Sequence, residues 1–303
     1  MNIVDLMAKD LHLDPDYLYY LIRNANRYYR NYSIPKRTKG TRWISQPSPE
    51  LKTLQYWIVE NVFSSLPVSK AAFAYLKGRS IKTHAYAHLS SSYFLHVDIS
   101  LFFPSIHPLH LSRVVTDSDV FSDPNIDVDE SIRIINKICF KKDCLSIGAV
   151  SSPAISNIIM YSFDCTMIDY CKANHFIYSR YADDIYISSE KYIERDVLDF
   201  VKAELKKLFF TVNPDKTKFF SSKYQKRITG LVLTTDGKVS IGTKRRCEIK
   251  KMLYDKLVKG TGDSEQILGY LSFLRDIEPE TYNNLIIKYS SYCDDDLFDA
   301  LKA

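Results

Sequence analysis

Three aspartates occupy positions that a folding chain would ordinarily give to uncharged residues. Asp98 ends an apolar run over 93–99, and Asp183 and Asp184 stand side by side between two further apolar runs. Adjacent carboxylates repel each other and burial disfavours their ionised forms, so the pair needs compensation. Divalent cations take oxygen ligands, and a third carboxylate completes the set for two magnesium ions. Two such ions can activate an attacking hydroxyl and stabilise a leaving pyrophosphate.

A single aspartate at a turn more commonly caps a backbone or faces water, and that interpretation would apply to Asp98 alone. The combination with Asp183 and Asp184 favours chemistry instead. A hairpin turn would ordinarily contain Asn-Gly or Asp-Gly, not two consecutive acids.

The apolar runs predict the elements that carry these carboxylates. The run over 93–99 predicts a buried strand, and the runs over 176–181 and 185–189 predict a hairpin with the acidic pair at its tip. A long helix is predicted over 151–173, with Pro153 in its first turn. Because helical patterns alternate with strands and hairpins along the chain, the predicted fold class is α+β.

Composition excludes several classes of protein. The 303 residues are 46% hydrophobic and 25% charged, which is typical of a folded chain. No apolar run is long enough to span a membrane, and Asp5 and Asp10 near the start argue against a signal peptide. The six cysteines have irregular spacings without a C-x-x-C pair, which argues against a zinc site or a disulfide framework. We therefore expect a reduced, cytoplasmic protein.

Charge is distributed unevenly. The formal net charge is only +5, but residues 201–260 contain sixteen Lys or Arg against five acids, whereas 261–303 contain three against nine. A basic stretch of this kind is typical of a surface that follows a phosphate backbone, although a solvated helix face fits the charge pattern equally well. The 22 tyrosines and 16 phenylalanines could add stacking contacts with bases, although most should lie in the core.

Five segments in a fixed order resemble the motifs of reverse transcriptases. Tyr181-Ala182-Asp183-Asp184 resembles their Tyr-x-Asp-Asp box, and FLHVDISLFFPSI at 94–106 resembles their first catalytic motif. The other three segments are LSIGAVSSPAISN at 145–157, TRWISQPSPELKTLQ at 41–55 and NPDKTKFF at 213–220. The resemblance implies a right-hand polymerase fold. Its parts are expected to be an N-terminal helical segment at 1–32, fingers at 33–92, a palm at 93–222 that includes the helix at 151–173, and a helical thumb at 223–303.

Two further elements resemble the retron branch of that family. His84-Ala85-Tyr86-Ala87-His88 is similar to the retron Asn-Ala-x-x-His element, and Ile228-Thr229-Gly230 is similar to the retron Val-Thr-Gly element. The resemblance implies a cognate structured non-coding RNA that serves as template and primer, with priming from a guanosine 2′-hydroxyl. It also implies dNTP substrates, a branched RNA–DNA product called multicopy single-stranded DNA, antiphage defence and a separate effector protein.

The resemblance assigns roles around the carboxylates. Asp98, Asp183 and Asp184, together with the carbonyl of Ile99, would hold two Mg²⁺ ions. Phe103 would lie under the sugar and exclude a 2′-hydroxyl, because a ring offers that group no acceptor; the alternative for Phe103 is a core aromatic.

Contacts with the triphosphate and the base pair are assigned in the same way. Arg42 and Lys52 are expected to contact the triphosphate, and Lys216 the leaving pyrophosphate, with Lys218 as its competitor. Gly148 would let the backbone approach the nascent base pair. The usual Pro-Gln of this motif is Ser146-Ile147 and a later Pro is Val150, so Ile147 can offer the nucleotide only an apolar wall.

A third group is expected to contact nucleic acid. Core packing is the alternative for the two histidines and for the tyrosine of the box. The predicted residues are His84, His88, Tyr181, Thr229, Gly230, Lys244, Arg245, Arg246 and Lys250.

Two alternatives to a retron enzyme stay open at this point. One is another bacterial reverse transcriptase, of group II intron, diversity-generating or abortive-infection type. The other is a nucleic-acid-binding scaffold for a toxin or effector partner. Intact Asp98, Asp183 and Asp184 argue against the scaffold, because uncompensated paired acids would only destabilise it.

Overall fold

Secondary structure begins with two capped helices and a hairpin. Asp14 caps the second helix, because its side chain accepts from the backbone N–H groups of Asp16 and Tyr17. The computed structural model describes residues 2–36, 40–121, 123–293 and 296–302. The helices of its first half are α1 (Ile3–Leu11), α2 (Pro15–Arg23), α3 (Pro49–Asn61), α4 (Ile81–Ala87), α5 (Pro108–Thr116) and α6 (Val128–Cys139).

The second half contains the remaining helices. They are α7 (Ser151–Ile159), α8 (Tyr161–Ala173), α9 (Asp196–Lys207), α10 (Thr243–Lys259), α11 (Ser264–Ile277), α12 (Pro279–Ser290) and α13 (Leu297–Lys302). The single helix predicted over 151–173 is wrong in one respect. A single turn residue, the buried Met160 with a ψ of −2°, divides the segment into α7 and α8. No Gly or Pro marks this break, so the sequence does not signal it.

Nine strands form three sheets within the described residues. The strands are β1 (Tyr29–Pro35), β2 (Thr41–Pro47), β3 (Tyr93–Asp98), β4 (Ile177–Tyr181), β5 (Asp184–Ser189), β6 (Lys218–Ser221), β7 (Lys226–Ile228), β8 (Leu231–Leu233) and β9 (Val239–Ser240). The first sheet is the antiparallel hairpin β1–β2, in register from Tyr29–Pro47 to Pro35–Thr41. The second has the strand order β4-β5-β3-β6, and the third is the antiparallel meander β7-β8-β9.

The chain divides into two units. The first comprises 1–78, 95–187 and 192–219, and the second comprises 79–94, 188–191 and 220–303. This division follows packing, and the subdivision into fingers, palm and thumb stays a prediction. Within the described ranges, no helix has both the length and the apolar character needed to cross a bilayer.

The core of the first unit explains why β3 can carry a carboxylate. Leu95, Val97 and Ile99 are fully buried, as are Ile185 and Ile187 of β5. These β-branched and aliphatic side chains suit the pleated surface of a buried sheet. The strand ends that bear Asp98 and Asp184 are thereby held in a rigid apolar framework, which is what a precise site requires.

Candidate active site

A cavity of about 580 Å³ opens in the first unit at the end of β3 and beside the turn between β4 and β5. Seven of the residues that the sequence singles out line it: Arg42, Asp98, Ile99, Phe103, Ile147, Asp183 and Lys216. They come from five segments that are far apart in sequence. The structure therefore brings the triphosphate, sugar, pyrophosphate and carboxylate candidates to one place.

Asp98 is buried at the end of β3 and has one cationic partner. Its Oδ2 accepts from Lys216 Nζ at 2.8 Å, and its carbonyl accepts from the backbone of Asn213 at 2.8 Å. The lysine itself is mostly exposed. The hydrogen bond to Asp98 is the largest cause that raises the pKa of Lys216. The segment after α9 is therefore tied to β3, and of the two lysines considered, Lys216 is the one that faces the cavity.

The turn between β4 and β5 presents Asp183. Ala182 has a φ of +55°, in the left-handed region that non-glycine residues seldom adopt. The carbonyl of Asp183 accepts from the backbone of Ile99 at 3.0 Å, so the turn is fastened to the end of β3. Asp98 and Asp183 consequently line the same cavity.

The electrostatics of Asp183 show negative charge that the protein does not balance. The pKa of Asp183 is raised to about 6: burial is the largest cause, the nearby carboxylates of Asp184 and Asp98 also raise it, and Lys216 lowers it. A carboxylate disfavoured in its ionised form and facing a cavity is typical of a functional site.

Asp184 differs from the other two carboxylates. Its Oδ1 accepts from His96 Nε2 at 2.6 Å, and the His96 ring stacks on Tyr186 at 4.5 Å between centroids. Asp184 does not line the cavity. The strand alternation of β3 and β5 could have identified His96, because it shares a strand face with Asp98 two residues later.

The donor set partly fits the metal ions that the sequence predicts. No three His, Cys, Asp or Glu side chains in the described ranges are grouped closely enough to form a metal site on their own. Asp98 and Asp183 nevertheless offer carboxylate oxygens to one cavity, which Ile99 also lines. Oxygen-only donors suit a hard divalent cation, and the raised pKa of Asp183 marks the charge that a cation would balance. These three residues are the ones that would hold it.

The other wall of the cavity is aromatic. Phe103 lies edge-on to Tyr75, with ring centroids 6.4 Å apart, whereas the buried Phe102 packs against Phe210. Tyr75 adopts a φ of +64°, which is strained for a bulky side chain. Burial raises the pKa of Tyr75, and Asp183 raises it further. Sequence reasoning missed Tyr75 because no motif contains it.

Of the two residues predicted to contact the triphosphate, Arg42 and Lys52, only Arg42 lines the cavity. Arg42 lines the cavity together with Lys36 and Trp43, neither of which the sequence singled out. Lys52 lies in the first turn of α3 and does not line the cavity. Its contact with the triphosphate therefore finds no support in this geometry.

The structure explains why a glycine stands at position 148 differently from the sequence-based prediction. Its φ is +111°, and an added Cβ would lie 3.0 Å from Ile44 Cγ2 and 3.1 Å from the Ser45 carbonyl oxygen. The backbone of Ser45 also donates to the Ile147 carbonyl at 2.8 Å. Gly148 therefore permits close approach of β2, and approach to a base pair stays a prediction. Ile147, an apolar residue, lines the cavity.

The retron-like elements meet within the second unit. His84 and His88 of α4 are fully buried, with ring centroids 5.6 Å apart. His84 Nδ1 lies 3.1 Å from Thr229 Oγ1, and His88 Nδ1 lies 2.6 Å from Ser188 Oγ. Burial lowers the pKa of His88 to about 4. Both rings therefore serve packing in this structure, and the predicted contact with RNA finds no exposed ring surface.

Thr229 and Gly230 form a two-residue turn between β7 and β8. Their φ values are +43° and +87°, which suits the turn type that matches the twist of a hairpin. Gly230 is exposed and Thr229 is half-buried. Only Gly230 thus keeps a largely open surface for the predicted contact with nucleic acid.

The basic helix α10 uses its cations in different ways. Lys244 and Lys250 are exposed, as predicted for a surface that contacts phosphates. Arg245 lies over the Tyr270 ring at 5.0 Å and pairs with Glu248 at 2.8 Å. Arg246 pairs with the buried Glu278 at 2.6 Å, so its charge is used to fasten α10 to α12. The remaining predicted contact, Tyr181, is half-buried at the end of β4.

Comparison with known proteins agrees with this geometry. Residues 34–248 match the family described as reverse transcriptase (RNA-dependent DNA polymerase). The chain therefore belongs to the reverse transcriptase family, whose members are RNA-directed DNA polymerases.

The similar curated proteins place it in the retron branch of that family. It is 36% identical to the retron Ec83 reverse transcriptase of Escherichia coli over 288 residues, covering 91% of each chain. It is 32% identical to the E. coli retron Ec73 enzyme, covering 86% of each, and 29% identical to the E. coli retron Ec86 enzyme, covering 94% of this chain and 88% of that one.

A solved structure supports the fold. Apo telomerase from Candida tropicalis is similar with a TM-score of 0.55 at 12% identity, over 90% of this chain and 60% of the telomerase. At this identity the likeness concerns the fold alone. The predicted α+β polymerase fold is confirmed.

Proposed function

We propose that this chain is the polymerase of a retron and makes multicopy single-stranded DNA from a cognate structured RNA. The observation that carries the proposal is the single cavity that gathers Asp98, Asp183, Phe103, Arg42 and Lys216. Nucleotide addition needs a metal-binding carboxylate pair, a sugar contact and cations for the phosphates, and these five residues supply those types.

Each residue has a separate task in this mechanism. Asp98 and Asp183, with the Ile99 carbonyl, hold Mg²⁺, which when bound supplies electrostatic activation of the primer hydroxyl and of the leaving phosphate. Arg42 orients the triphosphate, and Phe103 lies against the deoxyribose. Lys216, cationic and hydrogen-bonded to Asp98, is placed to neutralise or protonate the leaving pyrophosphate. Asp184 supports the site through its bond to His96.

The cellular role is proposed on the similarity to retron enzymes. The chain would use its own structured RNA as template and primer and retain the RNA–DNA product. The exposed Lys244 and Lys250 of α10 would bind the phosphates of that nucleic acid. A cytoplasmic location is part of the proposal, because the irregular spacing of the six cysteines favours a reduced chain. Antiphage defence with a separate effector protein completes the proposal.

Primer extension on a primed RNA template with Mg²⁺ tests the polymerase. We expect extension with deoxynucleotides and little with ribonucleotides. Phe103→Ala should raise ribonucleotide use relative to deoxynucleotide use by about 10- to 100-fold, which corresponds to 1–3 kcal/mol of discrimination. Phe209→Ala is the matched control, because that ring is exposed and lies outside the cavity.

Two outcomes would change the proposal. Unaltered sugar selectivity in Phe103→Ala would remove that residue from the role. RNA binding without extension on any primed template, including the cognate RNA, would favour the scaffold alternative. Sequencing the RNA and DNA that copurify with the chain from its host distinguishes a retron from an intron-type enzyme, since only the retron yields DNA joined to its RNA through a 2′-hydroxyl.

A further inference from the structure

Arg180 is the largest fully buried side chain of the protein's described residues, and no motif assigned it a task. It lies on β4, two residues before the turn that presents Asp183. A buried guanidinium is costly unless every part of it is paired. The partners it uses therefore indicate what it does.

One side of the guanidinium is held by a buried acid. Nε donates to Asp164 Oδ1 at 2.9 Å and Nη2 donates to Asp164 Oδ2 at 2.7 Å. The hydroxyl of Tyr178 also donates to Asp164 Oδ1 at 2.6 Å. This bidentate pair fixes the plane of the guanidinium against α8, and it balances the charge without help from solvent.

The third nitrogen points toward the catalytic turn. Nη1 donates to the Ala182 carbonyl at 3.2 Å and to Asn157 Oδ1 at 3.2 Å. Ala182 is the residue with a left-handed backbone, and the Asp183 carbonyl on its other side is held by Ile99. Asp183 thus lies between two backbone anchors, one on β3 and one on Arg180.

The same residue also reaches the aromatic wall. Its backbone N–H donates to the Ala71 carbonyl at 2.8 Å, and its carbonyl accepts from Phe73 at 2.8 Å. Asn157, the partner of Nη1, donates from Nδ2 to the Ala74 carbonyl at 2.9 Å. Tyr75 follows directly and places its ring beside Phe103.

We propose that Arg180 is a positioning residue for nucleotide addition. Its guanidinium fixes the Ala182 carbonyl, and hence the Asp183 carboxylate, relative to the cavity; through Asn157 and Ala74 it also fixes Tyr75 against Phe103. The inference rests on the proposed polymerase function. A displacement of an ångström at a reacting group costs far more in kcat than in substrate binding, which gives the proposal a signature.

Two variants separate positioning from folding. Arg180→Lys keeps the charge but lacks the planar fork, so it cannot hold both Asp164 oxygens and the Ala182 carbonyl together. Arg180→Met combined with Asp164→Leu removes both charges, a replacement that buried pairs commonly tolerate without loss of stability. The matched control is Arg133→Gln with Glu130→Gln, an exposed Arg–Glu pair on α6 at 3.0 Å and outside the cavity.

The assay is single-nucleotide extension of a primed RNA, normalised to the molecules that bind the template. For both Arg180 variants we expect kcat to fall at least about tenfold while KM for the nucleotide changes less than about threefold. Binding of Mn²⁺ to the free protein, read by electron paramagnetic resonance, should also weaken several-fold. The control pair should match the wild type in each readout.

Several results would overturn the inference. Wild-type kcat in Arg180→Lys, or in the folded double variant, would show that Arg180 only balances Asp164. If the double variant fails to fold by circular dichroism, Arg180→Lys decides the matter alone. A loss confined to the fraction of template-binding molecules would indicate a purely structural role. Failure of the wild type to extend any primer would count against the proposed function instead.

Discussion

Two clusters of buried polar side chains, one in each unit, have opposite electrostatic character. In the second unit, His84 and His88 are enclosed and face hydroxyl partners, and burial lowers the pKa of His88 to about 4. In the first unit, Asp98 and Asp183 face a cavity, and burial together with the neighbouring carboxylates raises the pKa of Asp183, which Lys216 only partly offsets.

This contrast separates buried polar groups that serve packing from those that serve chemistry. A polar cluster whose groups satisfy one another inside the fold adds specificity to the core and needs no ligand. A cluster that leaves net charge beside a cavity is complete only when something of opposite charge enters.

The largest expected effect is at Asp183. Asp183→Asn should lower extension of a primed RNA by more than about 1,000-fold, because it removes a cation ligand at the reaction centre. The control is Asp215→Asn, which changes an exposed aspartate outside the cavity and should extend the primer at the wild-type rate. Substantial activity in Asp183→Asn would place the reaction centre elsewhere.

The same variant should gain stability in the absence of metal. The folded pKa of about 6 lies above the ordinary 3.8, so ionising Asp183 destabilises the folded protein above pH 6. Asp183→Asn should therefore raise the free energy of unfolding at pH 7 by on the order of 2 kcal/mol. The gain should fade as the pH falls from about 6 toward 3.8. Urea unfolding at several pH values with a chelator measures it.

Lys216 comes next. Lys216→Met should lower kcat about 10- to 100-fold, since it removes the cation paired with Asp98 and the candidate proton donor. Lys218→Met is the matched control two residues away, and it lies outside the cavity. A larger loss in Lys218→Met than in Lys216→Met would exchange their roles. Steady-state extension at saturating nucleotide measures both.

Changes in the buried cluster of His84 and His88, here called the closed cluster, should affect stability and not nucleotide addition. The pKa of His88 is about 4 against an ordinary 6.5, so the unfolded chain takes up the proton first as the pH falls. This group alone should remove about 3 kcal/mol of stability between pH 6.5 and 4. His88→Gln should flatten that pH dependence in urea unfolding. If His88→Gln lost RNA binding at unchanged stability, that result would instead support the predicted contact between His88 and RNA.

The smallest effect is expected at Thr229. Thr229→Ala removes the hydroxyl beside His84, whereas Thr229→Ser keeps it on the same left-handed backbone. The two variants should differ by about 1 kcal/mol in the free energy of unfolding, with Ser the more stable. Both should extend a generic primed template normally. Equal stabilities would show that the hydroxyl contributes nothing to the closed cluster.

The sequence predicted the chemistry of the site better than its support. Residue type and order along the chain nominated Asp98, Asp183, Phe103 and Lys216, and these four residues line one cavity; their roles stay predictions. His96, Tyr75 and Arg180 were missed because their roles depend on partners in distant segments, such as Asp164 for Arg180.

The local sequence pattern did not predict two features that tertiary packing determines. The helix at 151–173 has no breaker, yet it divides at the buried Met160. Arg246 belongs to a basic run, but Glu278 uses its charge internally. Exposed basic residues such as Lys244 and Lys250 remain available to phosphates, whereas Arg246 is used inside the fold. The sequence shows how many cations the run contains but not which of them are exposed.

The cavity also carries a natural optical reporter. The chain has two tryptophans: Trp43 lines the cavity and is 68% exposed, whereas Trp57 is 7% exposed and its indole N–H donates to Asp10 at 3.0 Å. Their fluorescence should therefore separate into a red-shifted, acrylamide-quenchable component and a blue-shifted, protected one. Nucleotide entry should change only the first, so occupancy could be followed in real time on the unlabelled protein.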